Sequence, residues 1–171
     1  MALSELTDSE IREVMPHLQR FALWLTRNAH SAEDLVQSCL TKALTRERQK
    51  EGEQSLRAWL FTILYRQFID GERRRKRYLN ILSFFTGEEA LGQSAESLAI
   101  ADDTLALFAT LPTDYRALLL LVSVEGLSYK EAAETLDIPL GTVMSRLSRA
   151  RKLLHEKLEG KVTPLPLRRL K

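Results

Sequence analysis

Five cations in succession, Arg73, Arg74, Arg75, Lys76 and Arg77, close the stretch LRAWLFTILYRQFIDGERRRKRY, and Arg66 precedes them on the same segment. Guanidinium and ammonium groups at that density neutralise phosphate oxygens. A helix end needs only one or two cations in its last turn to complement its dipole, so the run exceeds a capping role. A second basic set lies further on, in LGTVMSRLSRARKLL, which contains no acid. Thr142, Ser145, Arg146, Ser148, Arg149 and Arg151 fall on one side of that segment, and Val143, Leu147, Ala150 and Leu154 on the other. Arginine can bond a guanine edge with two hydrogen bonds, and a hydroxyl can reach a base or a phosphate. Both sets point to a nucleic acid.

Other chemistries find less support. Glu33, Asp34 and Gln37 share the exposed side of SAEDLVQS, and paired carboxylates can hold a cation or move a proton. No histidine or further acid stands at ligand spacing, and a solvated helix start explains them. His17, His30 and His155 are scattered, and Cys39 lies on an apolar stripe. With no triad, no zinc set and no glycine-rich phosphate loop, the expectation is a protein that is not an enzyme and needs no metal or cofactor. Trp59, Phe61, Tyr65 and Phe68 could stack on unpaired bases. Their positions on core-facing stripes favour packing instead.

The elements that must carry these residues are helical. The chain has 171 residues, 44% hydrophobic and 28% charged, with only seven Gly and five Pro, a balance typical of all-α proteins. A single cysteine excludes an internal disulfide and suits a reducing compartment. The opening MALSELTDSE is polar and acidic, unlike a secretory signal, and the longest apolar run, ALLLLVSV, is too short to span a bilayer. A soluble, cytoplasmic protein without membrane insertion is expected. The net charge of +2 is unremarkable, but its distribution is uneven: no Lys or Arg occurs from Tyr78 through Tyr115, where Glu88, Glu89, Glu96, Asp102, Asp103 and Asp114 gather.

Periodicity predicts a first helix from Thr7, with Glu10 completing a capping box and Ile11, Val14, Met15, Leu18, Phe21, Ala22 and Leu25 facing inward. A second opens in NAHSAED, capped by Ser31 and Asp34, and buries Leu35, Val36, Cys39, Leu40, Ala43 and Leu44. RERQKEGEQS reads as a loop, and a long third helix runs from Leu56 to Tyr78. Residues 79–102 read as an acidic linker, although NILSFF is too apolar to be wholly solvated. A second helical group follows, broken at Pro112 and Gly126. Within it Ser128 and Glu131 cap a short helix, Ala132 and Ala133 permit a close crossing, and LDIP turns the chain with Asp137 in a left-handed conformation. That is a helix-turn-helix with a basic second helix. The expected fold is all-α: a three- to four-helix bundle over 7–78, a flexible linker, a four-helix domain over 103–160, and an extended tail over 161–171.

Taken together, AEDLVQ, LRAWLFTILYRQFIDGERRRKR and LPTDYRALLLLVSVEGLSYKEAAETLDIPLGTVMSRLSRARKLL resemble, in order and spacing, an extracytoplasmic-function (group 4) sigma factor of the sigma-70 family. The resemblance implies that 7–78 binds the clamp helices of bacterial core RNA polymerase through Glu33, Asp34 and Gln37. It implies that Arg66, Gln67, Asp70 and Arg73 to Arg77, with the loop around 49–55, open and read the −10 element as melted strand. Ser128, Lys130, Thr142, Ser145, Arg146, Ser148, Arg149 and Arg151 would then read the −35 element as duplex. It further implies a linker that runs near the template, an anti-sigma partner, and a monomer when free. Three positions depart from the family's common pattern: Ser38 where Glu is frequent, Gln67 where Asn is, and Met144 where a basic residue is. Two rival classes explain less. A dimeric regulator needs a self-complementary interface that nothing in the sequence marks, and a nucleic-acid enzyme needs a catalytic set that is missing.

Overall fold

The computed structural model describes residues 6–45, 54–87 and 103–160, and every element among them is helical, as expected. The loop at 46–53, the acidic stretch 88–102 and the tail 161–171 lie outside the described residues.

Helix α1 (Asp8–Thr26) begins with the expected capping box: the Glu10 N–H donates to Thr7 Oγ1, and the Thr7 N–H donates to the Glu10 carboxylate. It ends at Arg27, whose left-handed backbone (φ 55°) turns its N–H onto the Leu23 carbonyl. Helix α2 (Ala29–Thr45) is capped differently from expectation. Asn28, not Ser31 or Asp34, is the cap, because its Oδ1 accepts the Ser31 N–H at 2.8 Å. Asparagine serves there as well as serine, and the turn after α1 places it at the right position. The buried stripe is Ala32, Val36, Cys39 and Ala43. Leu44, expected inside, is exposed because it lies one residue past that stripe, about 100° around the helix.

Helix α3 (Leu56–Thr86) is 31 residues long and overruns its expected end at Tyr78, so the first residues assigned to the linker are helical. No Pro or Gly interrupts the chain between Gly71 and Gly87, and Gly87 stops the helix by taking φ 65°. Its first half buries Ala58, Leu60, Phe61, Ile63, Leu64, Tyr65 and Phe68, so the aromatic residues considered for stacking serve the core. Its last turns do the opposite: Phe84 and Phe85 are 85% and 80% exposed, despite the expectation that NILSFF would find cover.

Helix α4 (Asp103–Ala109) leads through Pro112 into α5 (Thr113–Leu119), which widens over Leu120–Val124 into a π-helical turn. There the Glu125 N–H reaches the Leu120 carbonyl, five residues back, at 2.8 Å. Gly126 (φ 72°) then lets the chain turn into α6 (Tyr129–Leu136). Ser128 and Glu131 form the expected capping box, and Asp137 takes the expected left-handed conformation (φ 54°) before α7 (Leu140–Leu158).

Helices α1 to α3 form one bundle, centred on an edge-to-face contact of Phe21 and Phe61 with ring centroids 5.0 Å apart. Helices α5 to α7 form a second around Leu118, Leu121, Val143 and Leu147. The two bundles share one continuous core. Helix α3 packs on α6, and α1 packs on α5. Trp24 meets Phe108 edge-on at 5.2 Å.

Candidate nucleic-acid interface

Beyond Phe68, every cation of α3 is exposed. Arg66, Asp70, Arg73, Arg74, Arg75, Lys76 and Arg77 are all exposed. Consecutive residues advance 100° each, so five in a row clothe the whole circumference of the helix. Internal neutralisation is slight: Arg75 stands 3.7 Å from Glu72, an exposed pair of little worth, and Arg74 Nε donates to the Asp70 carbonyl at 3.4 Å. An open groove of about 610 Å³ runs along Asp70, Arg73, Arg74, Lys76, Arg77 and Asn80. Gln67 stands apart from this set. It is half-buried, its Nε2 donates to the Ser38 carbonyl at 3.2 Å, and its Oε1 is buried without a partner. It therefore ties α3 to α2, and Ser38 supplies the acceptor through its backbone.

Helix α7 segregates its two sides. Val143, Leu147 and Ala150 are buried, while Met144, Ser145, Ser148, Arg149 and Arg151 are exposed. Thr142 and Arg146 are half-buried, and Arg146 Nη1 lies 3.5 Å from Asp114 Oδ2. Ser128 is engaged in the cap of α6, accepting the Glu131 N–H at 3.1 Å, with Lys130 exposed beside it. Met144 therefore presents a thioether where its neighbours present hydrogen-bonding groups.

On α2, Glu33, Asp34 and Gln37 are exposed, as their spacing predicted. Glu33 and Gln37 border a groove of about 560 Å³ between α1 and α2 whose floor is Met15, Leu23, Val36 and Leu40. Gln37 and Asp34 also border a polar depression with Ser38, Thr41, Lys42 and Gln67. Gln37 is thus a ridge between an apolar and a polar hollow, an arrangement that can grip a helix of another protein. Among the described residues, no group of three His, Cys, Asp or Glu side chains could hold a metal ion. Burial pushes the Cys39 thiol up from 9.0 to about 12, and its Sγ donates to the Leu60 carbonyl at 3.4 Å.

Sequence reasoning missed the polar groups between the two bundles. The Glu125 carboxylate has no exposed side-chain surface; His17 Nδ1 donates to its Oε2 at 2.7 Å, and Arg20 Nε to its Oε1 at 2.7 Å. Arg116, 3% exposed, donates across the seam to the Trp24 carbonyl at 2.7 Å and the Leu25 carbonyl at 3.2 Å, and within its own bundle to those of Ala109 and Leu111. Burial first, then the neighbouring Arg27, push Arg116 down to about 10, so it remains charged at neutral pH. The available signal was a lone charge inside an apolar run: Arg in DYRALLLL, and Glu closing LLVSVEG.

Comparison with known proteins accounts for both basic helices. Residues 11–78 match the family model for sigma-70 region 2, and residues 102–154 match the one for sigma-70 region 4. The chain is 35% identical to the ECF RNA polymerase sigma factor EcfG of Rhodopseudomonas palustris, over 90% of this chain and 86% of that one. It is 30% identical to the ECF RNA polymerase sigma factor SigM of Bacillus subtilis, over 87% and 93%. Among solved structures, the sigma factor RpoE of Bartonella quintana, in complex with the anti-sigma factor NepR, superposes with a TM-score of 0.75. That pair is 34% identical, with 88% of this chain and 95% of that one covered. CnrH, in complex with the cytosolic domain of CnrY, shares the fold at 22% identity and a TM-score of 0.62. These define an all-α protein built from sigma-70 regions 2 and 4. The chain belongs to the ECF RNA polymerase sigma factors. Residues 79–86, the exposed apolar end of α3, fall outside both matched regions.

Proposed function

We propose that this chain is a promoter-specificity subunit of bacterial RNA polymerase that joins the core enzyme and selects start sites. The observation that carries the reading is the occurrence of regions 2 and 4 in one chain, each presenting an exposed basic helix. Helix α2 docks on the polymerase clamp through Glu33, Asp34 and Gln37. Helix α3, through Arg66, Asp70 and Arg73 to Arg77, opens the −10 element and holds it as single strand, and Gln67 positions α3 on α2 beneath it. Helix α7 enters the major groove at −35, where Thr142, Ser145, Arg146, Ser148, Arg149 and Arg151 face bases and phosphates, and Ser128 and Lys130 flank the site.

In this role the chain catalyses nothing itself and needs no metal or cofactor. It works in the cytoplasm, and no helix among its described residues is long and apolar enough to cross a membrane. The similarity to a sigma factor solved with NepR supports control by an anti-sigma protein. The test is transcription of fragmented genomic DNA by core polymerase with and without the protein, with sequencing of RNA 5′ ends. New starts sharing upstream elements near −10 and −35 are expected, and Asp34→Ala with Gln37→Ala should abolish them. Absence of new starts, with duplex binding by the free protein intact, would sink the reading.

A further inference from the structure

The last turns of α3 carry an aromatic pair that neither the core nor the two matched regions use. Phe84 and Phe85 meet edge-on, with ring centroids 5.8 Å apart and planes at 85°, so each steadies the other while both stay open to solvent. Phe84, at 85%, is the most exposed of the large hydrophobic side chains described. Its position around the helix is informative. Arg73, Arg77, Asn80 and Phe84 are spaced by four, three and four residues, which sets them within about 60° of one another. The first three line the open groove along α3, so Phe84 continues that line, about 10 Å along the axis from Arg77. No acid occurs from Arg73 through Thr86. Asp70, the acid that lines the groove, stands at its other end.

These residue types divide a nucleotide between them. A guanidinium meets a phosphate, an amide can bond a base edge, and an aromatic face takes the face of a base. A duplex keeps its base faces stacked on one another and offers Phe84 nothing. An unpaired strand offers a free face at each nucleotide. Two other occupants fit this face less well. A helix that lies on a membrane sets its cations opposite its apolar side, whereas Arg73 and Arg77 share the side of Phe84. A partner helix reads apolar anchors at steps of three and four residues, and behind Phe84 those steps hold Asn80, Arg77 and Arg73. The apolar stripe of that kind on α3, formed by Tyr78, Ile81, Leu82 and Phe85, lies about 120° further around the helix.

We infer that α3 extends its grip on single-stranded nucleic acid beyond the cations: Phe84 stacks on an unpaired base of the strand whose phosphates Arg73 and Arg77 hold, and Phe85 braces it. This rests on the reading of α3 as a single-strand surface given above. The stack adds affinity that does not come from counterion release. It also fixes one base along the helix, where cations alone let a strand slide.

The experiment compares the full wild-type chain with Phe84→Leu, which keeps an apolar helix former and removes the aromatic face. The probes are a labelled oligothymidylate, an abasic strand of the same length and a duplex, each followed by fluorescence anisotropy over a salt series. Affinity for the thymidylate strand is expected to fall about ten-fold or more. Its salt slope should stay unchanged, because no cation has been removed. Affinities for the abasic strand and the duplex should match wild type, and Phe84→Tyr should recover the thymidylate affinity. Unchanged thymidylate affinity in Phe84→Leu, with its fold checked by circular dichroism, would overturn the inference. So would an equal loss on the abasic strand, or a wild-type chain that does not bind the thymidylate strand. Unchanged strand affinity together with lost binding to phosphatidylglycerol vesicles would overturn it in favour of a membrane surface. A wild-type chain that yields no new starts with core polymerase would sink the sigma reading alone, since the oligonucleotide series needs no polymerase.

Discussion

The two basic helices arrange the same residue types differently. On α3 the cations are consecutive, so they surround a helix whose distal half stands clear of the core. On α7 they alternate with buried Val143, Leu147 and Ala150, so they share one face. A cationic sleeve meets phosphates from any direction, which suits a flexible single strand. A one-sided face fixes a few side chains against one groove and suits a rigid duplex. Charge spacing relative to the helical repeat, more than the amount of charge, separates the two surfaces.

Removing the sleeve should have the largest effect. Arg73→Ala, Arg74→Ala and Arg77→Ala together should weaken single-stranded DNA binding whatever the sequence. The slope of log affinity against log salt should fall by about 2, since each phosphate contact on a single strand contributes about 0.7. A sequence-dependent loss in a filter-binding series would show that α3 reads bases after all. Arg149→Ala should act oppositely, costing about 1–3 kcal/mol at particular base pairs of a duplex fragment and leaving single-strand binding untouched. A uniform loss over all duplexes would demote Arg149 to a phosphate contact and blur the comparison.

The support beneath α3 gives a pH signature of its own. Because burial raises Cys39 from 9.0 to about 12, the folded state keeps a proton that the unfolded chain releases. The unfolded chain therefore binds fewer protons between those values. The Cys39 contribution to stability is complete below pH 9.0 and is lost as pH rises towards about 12. Urea midpoints near pH 8 and pH 10.5 should differ in wild type by more than in Cys39→Ala. The smallest effect is a gain: Met144→Arg adds a cation to the exposed face of α7, and duplex affinity should rise a few-fold with a salt slope steeper by about 0.9.

Much of this was legible in the chain because it depends on neighbours in sequence. The caps at Thr7 and Ser128 need a partner three residues away, and Asp137 adopts its left-handed turn locally. The inward stripes of α1 and α7 follow from helical spacing, and the exposure of Glu33, Asp34, Gln37 and the cations of α3 is the other side of that spacing. Local reasoning failed where two local choices were equally good. Asn28 and Ser31 are both competent caps, and NILSFF carries neither a breaker nor a charge to say whether α3 stops.

By itself, then, the sequence determined the helices, their faces, the two basic surfaces and the family, all of which rest on separations of a turn or two. Only the tertiary structure decided that Gln67 points into the α2 contact, and that the two halves form one core. The reason is distance along the chain. His17 and Glu125 are 108 residues apart, and Arg116 and Trp24 are 92 apart. No periodicity spans such intervals, and a lone charge in an apolar run names no partner until folding supplies one.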